Sequence, residues 1–151
     1  MSCLYRHKTL ALLMFCLAYL IGCQADRTAT LVGAYHEAEP PNELFIRVDH
    51  AEHIGEVARF PLLSYSFAWG NPDSARGTHK LLVFNCQDRY LGYYYLGAPI
   101  KLQQCEIVGN RVALVLDDVG NDPSGDTQTL DFSAGIPPTS LEGELRFHPR
   151  D

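Results

Sequence analysis

Positive charge is scarce in this chain. Twelve Lys and Arg face eighteen Asp and Glu among 151 residues. Phosphate attraction needs a basic surface, so nucleic acid and anionic lipid headgroups are excluded as electrostatic partners. No serine stands in a G-x-S-x-G elbow, and the serines and acids are scattered without any other nucleophile context. Cysteines number five and none forms a C-x-x-C pair, the usual spacing of a redox-active dithiol. Helical periodicity is missing too: only Ala51–Val57 carries a pattern that a short helical turn would use. The reading therefore expects no cofactor, no metal and no catalysis.

What is present begins at the N-terminus. Arg6 and Lys8 precede an uncharged, almost wholly apolar run from Thr9 to Ile21. Thirteen residues of helix rise only ~20 Å, short of a ~30 Å hydrocarbon core, so the run has the form of a signal-peptide h-region. It ends in Leu20-Ile21-Gly22-Cys23, which resembles the lipobox of bacterial lipoproteins. That resemblance implies a signal peptide over residues 1–22, cleavage before Cys23, and acylation (palmitate among the chains) of the Cys23 thiol and freed amine. Several acyl chains on one residue anchor a protein stably to the bilayer. Gln24 stands where Asp would retain an enterobacterial lipoprotein at the inner membrane. The resemblance thus implies the periplasmic face of the outer membrane if the source is Gram-negative.

Such cleavage removes two bases and no acid, deepening the net charge from −6 to −8. It also removes Cys3 and Cys16, and Cys23 takes lipid. Cys86 and Cys105 remain, an even pair in an exported chain, and are expected to form one disulfide worth ~3 kcal/mol. Residues 23–29 read as the lipidated cysteine and a tether, ~20 Å at full extension, leaving 30–151 as a single domain.

Within that domain apolar residues recur every second position. Strands are predicted over Thr30–His36, Glu43–Asp49, Val57–Trp69 with a break near Pro61, His79–Cys86, Asp88–Leu96, Ile100–Ile107, Arg111–Asp117, Thr127–Ser133 and Leu141–His148. Turn signals separate them, Val108-Gly109-Asn110-Arg111 being the best tight hairpin. The fold class is all-β: an antiparallel meander of eight or nine strands, closed or nearly closed into a small calycin-like barrel, with a β-sandwich as the alternative. Gly33, Gly92 and Gly143 inside strands suit sharp coiling or close backbone approach.

Aromatic residues are the richest candidates for a site. Tyr65, Phe67 and Trp69 share one strand face, while Tyr90 and Tyr94 alternate with Tyr93 and Tyr95. Tyrosine on both faces leaves some rings at least partly exposed, and these read either as a pocket or partner patch or as core plus cross-strand pairs on the sheet surface. Asp117–Asp126 offers oxygen ligands without the alternation of an EF-hand and reads as a solvated loop. His50 and His53 converge on a metal only if their segment is helical. Three functions stay open. One is a non-enzymatic binding module for an envelope protein, a cell-wall component or a small apolar ligand. Another is an envelope-defence inhibitor of a hydrolase such as lysozyme; the last is an enzyme of unrecognised type.

Overall fold

The computed structural model describes residues 27–97, 101–117 and 125–150. The expected signal segment, Cys23 and most of the Asp117–Asp126 loop lie outside the described residues. Helix α1, residues 27–38, precedes eight strands. They are β1 (Phe45–Val57), β2 (Phe60–Trp69), β3 (Arg76–Phe84), β4 (Tyr90–Gly97), β5 (Lys101–Val108), β6 (Arg111–Asp117), β7 (Asp126–Asp131) and β8 (Phe147–Pro149). All pairings are antiparallel, in a five-stranded sheet ordered β1-β2-β3-β4-β8 and a three-stranded sheet ordered β5-β6-β7.

The mostly-β antiparallel character matches the alternation in the sequence. Among the described residues neither sheet closes into a barrel. A meander would pass from β4 to β5 at the same edge. Here the edge of β4 is taken by β8, and β5 starts a separate sheet.

The five-stranded sheet is covered on both faces. On one, Leu62, Leu81, Val83, Tyr94 and Leu96 pack with Val112, Leu114, Leu116 and Leu130 of the three-stranded sheet. On the other, Leu63, Tyr65, Leu82, Phe84 and Tyr90 pack with Leu31 and Tyr35 of α1. This accounts for Leu81-Leu82-Val83-Phe84, an unbroken apolar run in which every residue is buried: a strand with two covered faces does not alternate. Each such leucine contributes ~1.5–3 kcal/mol by leaving water.

Three segments depart from the sequence reading. Residues 30–36 are helical, not a strand. Leu31 and Tyr35 are four apart, a spacing that serves a helix face and a strand face equally well. What decides is Val32 and Ala38, which also pack against this core, and Pro40-Pro41, which stops the helix. The helix also takes residues 27–29, the end of the expected tether. Ala51–Val57 belongs to β1 rather than to a helical turn. The break between β1 and β2 falls at Ala58-Arg59, both at positive φ (47° and 73°), as a primed hairpin turn requires. Pro61 continues within β2, facing Glu56.

The third departure is the C-terminal strand. Most of 141–148 is a loop in which Gly143 N donates to Ser140 O at 3.0 Å, and only Phe147–Pro149 pairs with β4. Leu141 is exposed and Leu145 buried, so the alternation there marks a turn, not a ladder. Gly33 lies in α1 and Gly143 in this loop. Gly92 alone meets its expectation: its φ is +148° and a Cβ would run into the backbone of His148 and Pro149. The hairpin at Gly109-Asn110 also forms, with Val108 opposite Arg111.

The expected disulfide is absent: Cys86 and Cys105 are both free thiols. Cys86 is exposed in the β3–β4 turn, which is tied to α1 by the Arg27–Asp88 ion pair at 2.7 Å. Cys105 packs into the core between the two sheets. The two cysteines therefore belong to different layers.

Candidate functional site

Helix α1 covers only part of its side of the five-stranded sheet. Where it ends, the chain leaves through Glu39-Pro40-Pro41-Asn42, and the uncovered sheet face forms the floor of an open cleft of about 170 Å³. Tyr35, His36 and Glu39 line it from the helix end, Phe45 from β1, Tyr65 and Phe67 from β2, and Lys80 from β3.

Its walls are aromatic and mutually fitted. Phe45 and Phe67 stack with ring centroids 5.8 Å apart and planes 28° from parallel. Tyr35 meets Tyr65 edge-on at 5.1 Å and Tyr90 at 5.0 Å. His36 Nε2 and Tyr65 Oη are hydrogen-bonded at 2.7 Å, and burial pushes the Tyr65 hydroxyl up to about 12.

Lys80 is the cation of the cleft. Register places it between Tyr65 on β2 and Tyr95 on β4. Its Nζ lies 4.0 Å from the Tyr93 ring centroid and 5.7 Å from those of Tyr35 and Phe67. It donates to Tyr35 Oη at 3.2 Å. The nearest carboxylate oxygen, Glu39 Oε2, is 3.8 Å away, and the side chains are 13% and 37% exposed respectively. Burial holds the amine below its ordinary value, with Glu39 opposing. Burial, and secondarily the Glu39 charge, pushes the Tyr35 hydroxyl upward; burial likewise raises Tyr90 and Tyr93.

The predicted aromatic residues divide. Tyr65 and Phe67 line the cleft and Tyr93 backs it through Lys80. Trp69 continues the same row, donating from Nε1 to Thr78 Oγ1 at 2.9 Å with Arg76 above its ring. Tyr95 is 45% exposed at the margin. Tyr90 lies under the helix, with its hydroxyl buried. It therefore shares the helix side with Tyr93, a correction to its pairing with Tyr94. The irregularity in register between Val83 and Phe84 shifts the alternation there. Tyr94 faces away from the cleft, fully buried, and donates to Pro137 O at 2.6 Å.

Sequence reasoning missed Tyr35, His36, Glu39, Phe45 and Lys80. Tyr35 and Glu39 are one helical turn apart, a signal hidden by reading the segment as a strand. Lys80 had a local signal: a lone amine inside His79-Lys80-Leu81-Leu82-Val83-Phe84.

Other candidates gather no comparable geometry. His50 is exposed beside Glu52 at 3.4 Å, and His53 is partly buried on the same strand, not a helix. Among the described residues no three His, Cys, Asp or Glu are grouped for a metal. Ser64 Oγ and His79 Nε2 are hydrogen-bonded at 2.8 Å between the sheets, but Ser64 is 1% exposed, out of reach of a substrate. No helix among the described residues is long and apolar enough to cross a membrane.

Fold and cleft together define a small antiparallel β-domain carrying a lysine-centred aromatic site at the end of its covering helix. Compared with family models, with curated proteins and with solved structures, the chain matches none.

Proposed function

We propose that the protein is a lipoprotein, acylated at Cys23 and held at the periplasmic face of an outer membrane, whose β-domain binds an envelope partner through the Lys80 cleft without catalysis. We read its two sheets as a β-sandwich backed by a helix. The observation that carries the binding reading is Lys80 itself. Lysine is among the residues least often buried without a close partner, yet its ammonium sits among three rings while its carboxylate stays 3.8 Å away. A desolvated charge in an open, aromatic-walled cleft marks a binding site better than it marks a structural ion pair.

Size narrows the occupant. Pockets for whole small molecules run to ~300–1,000 Å³; at about 170 Å³ this one suits a residue-sized group on a protein or cell-wall partner. The acidic chain would suit a basic hydrolase, but the cleft presents a cation, so the inhibitor reading ranks second.

Two measurements test the proposal. Labelled palmitate should enter the wild-type protein and not Cys23→Ser; equal labelling would remove the anchor. In detergent micelles, small planar compounds should saturably shift the ring resonances of Tyr65, Phe67 and Tyr93, and Phe67→Ala should abolish the effect. Rings unmoved by any such compound at millimolar concentration would remove the binding site.

A further inference from the structure

Resting on that binding reading, we infer that the cleft selects a carboxylate carried on a planar group, and that Glu39 occupies the carboxylate's place while the cleft is empty. The ammonium of Lys80 has three protons to place. One goes to Tyr35 Oη at 3.2 Å, and the Tyr93 face receives another side of the charge at 4.0 Å. The third direction opens toward the cleft, where Glu39 Oε2 stands at 3.8 Å. Charge-assisted N–H···O⁻ bonds close to about 2.7–2.9 Å, so at 3.8 Å the contact of Glu39 with Lys80 is a long and weak one.

The two partners are held very differently. Lys80 is fixed on a central strand by packing and register, 13% exposed. Glu39 is the first residue past α1, on a stem that ends at the mouth, 37% exposed. Its backbone N donates to Tyr35 O at 2.8 Å, which anchors the main chain, while its carboxylate reaches the Tyr35 and Tyr90 hydroxyls as well as Lys80. Turning the carboxylate outward gives up a long, half-solvated pair, which carries little weight, and its reach to the Tyr35 and Tyr90 hydroxyls, in exchange for water at the mouth. An incoming carboxylate then meets an ammonium already desolvated and aimed.

The rest of the lining sets what carries that carboxylate. Phe45 and Phe67 present a stacked pair along which a ring or other planar body can lie. Lys80 is the one Lys or Arg among the lining residues, and His36 is engaged with Tyr65. A phosphate dianion calls for more than one cation or a guanidinium fork, so a monoanion is the better match.

The test uses the full acylated chain in detergent micelles, with phenylacetate and its neutral amide, phenylacetamide, as probes in calorimetric titrations. One good charge-assisted bond is worth about tenfold or more in affinity. Phenylacetate should therefore bind wild type about tenfold more tightly than phenylacetamide. Glu39→Gln, with the competing charge gone, should tighten phenylacetate several-fold and leave phenylacetamide unchanged. Glu39→Asp, whose shorter stem reaches less far, should act in the same direction. Lys80→Met should erase the preference for the anion. Equal binding of both probes would overturn anion selection while leaving a binding cleft in place. Glu39→Gln and Glu39→Asp that weaken phenylacetate would overturn the stand-in role. If neither probe binds any variant, both this inference and the binding reading fall.

Discussion

If Lys80 is retained for binding, replacing it should stabilise the protein. Lys80→Met keeps a long unbranched stem against Tyr93, Tyr35 and Phe67 and removes the charge. Exchanging both partners of a buried ion pair for apolar side chains is neutral to stabilising by about 1–4 kcal/mol, whereas removing one alone costs stability where the other is left buried. Against that stands the lost cation–π contact over Tyr93, about 0.5–2 kcal/mol, partly returned by sulfur–aromatic contacts of about 0.3–1.5 kcal/mol. Glu39 enters this balance weakly, because it is 3.8 Å away and 37% exposed and regains water once released. The expected net gain is about 1 kcal/mol, a rise of a few degrees in Tm for a domain of this size. The sign agrees with linkage. A lysine whose folded value lies below its unfolded one destabilises at neutral pH, and this penalty fades as pH rises toward the ordinary value of 10.5. The stabilisation by Lys80→Met should therefore shrink under alkaline conditions. Urea unfolding of wild type and variant at pH 7 and pH 9.5 measures both effects. A variant less stable by more than about 1 kcal/mol would show that the ammonium holds the fold together and would refute a net cost of burying it.

Gly92→Ala should destabilise by about 2 kcal/mol or more, because φ is +148° and the added methyl meets the β8 backbone; unchanged thermal unfolding would mean that β8 does not lie against Gly92. A thiol reagent should titrate Cys86 within seconds in native protein and Cys105 only on unfolding, since burial pushes the Cys105 thiol up to about 11; two silent thiols in native and denatured protein alike would restore the disulfide. His53 is held below its ordinary value of 6.5, first by burial and then by Arg27. The folded state thus binds fewer protons than the unfolded one below that value, and stability should fall as pH drops through 6.5. His53→Gln should flatten that part of the pH–stability curve; an unchanged slope would assign the loss to other groups.

The sequence was most legible where one face meets core and the other meets solvent. In β6, Val112, Leu114 and Leu116 are buried and Ala113 and Val115 less so, and the alternation alone places it. Legibility failed where two structures share a spacing. Leu31 and Tyr35 fit either period, and the apolar alternation of 141–147 occurs in a loop. Ala58-Arg59 carries no glycine or asparagine to announce its positive φ, so the first hairpin was hidden. The cleft was half visible: Tyr65, Phe67 and Tyr93 stood out as aromatic residues. The cation that unites them did not, because its ring partners come from α1, β2 and β4, and Tyr35 is 45 residues away from Lys80. Charge burial is a property of three-dimensional neighbours, and no local pattern encodes it.

The placement of β8 also has a consequence for the order of folding. β1 to β4 are neighbours both in sequence and in the sheet, so they can zip as successive hairpins with short loops to close. β8 pairs Phe147, His148 and Pro149 with Tyr94, Tyr93 and Gly92, across an interval that contains the whole three-stranded sheet. Closing so long a loop for three residues of ladder returns little until the intervening strands have packed. The five-stranded sheet is therefore finished last at its β8 edge. With it comes the stacking of His148 on Tyr93, centroids 4.9 Å apart, so the ring beneath the Lys80 ammonium gains its final support at the end of folding.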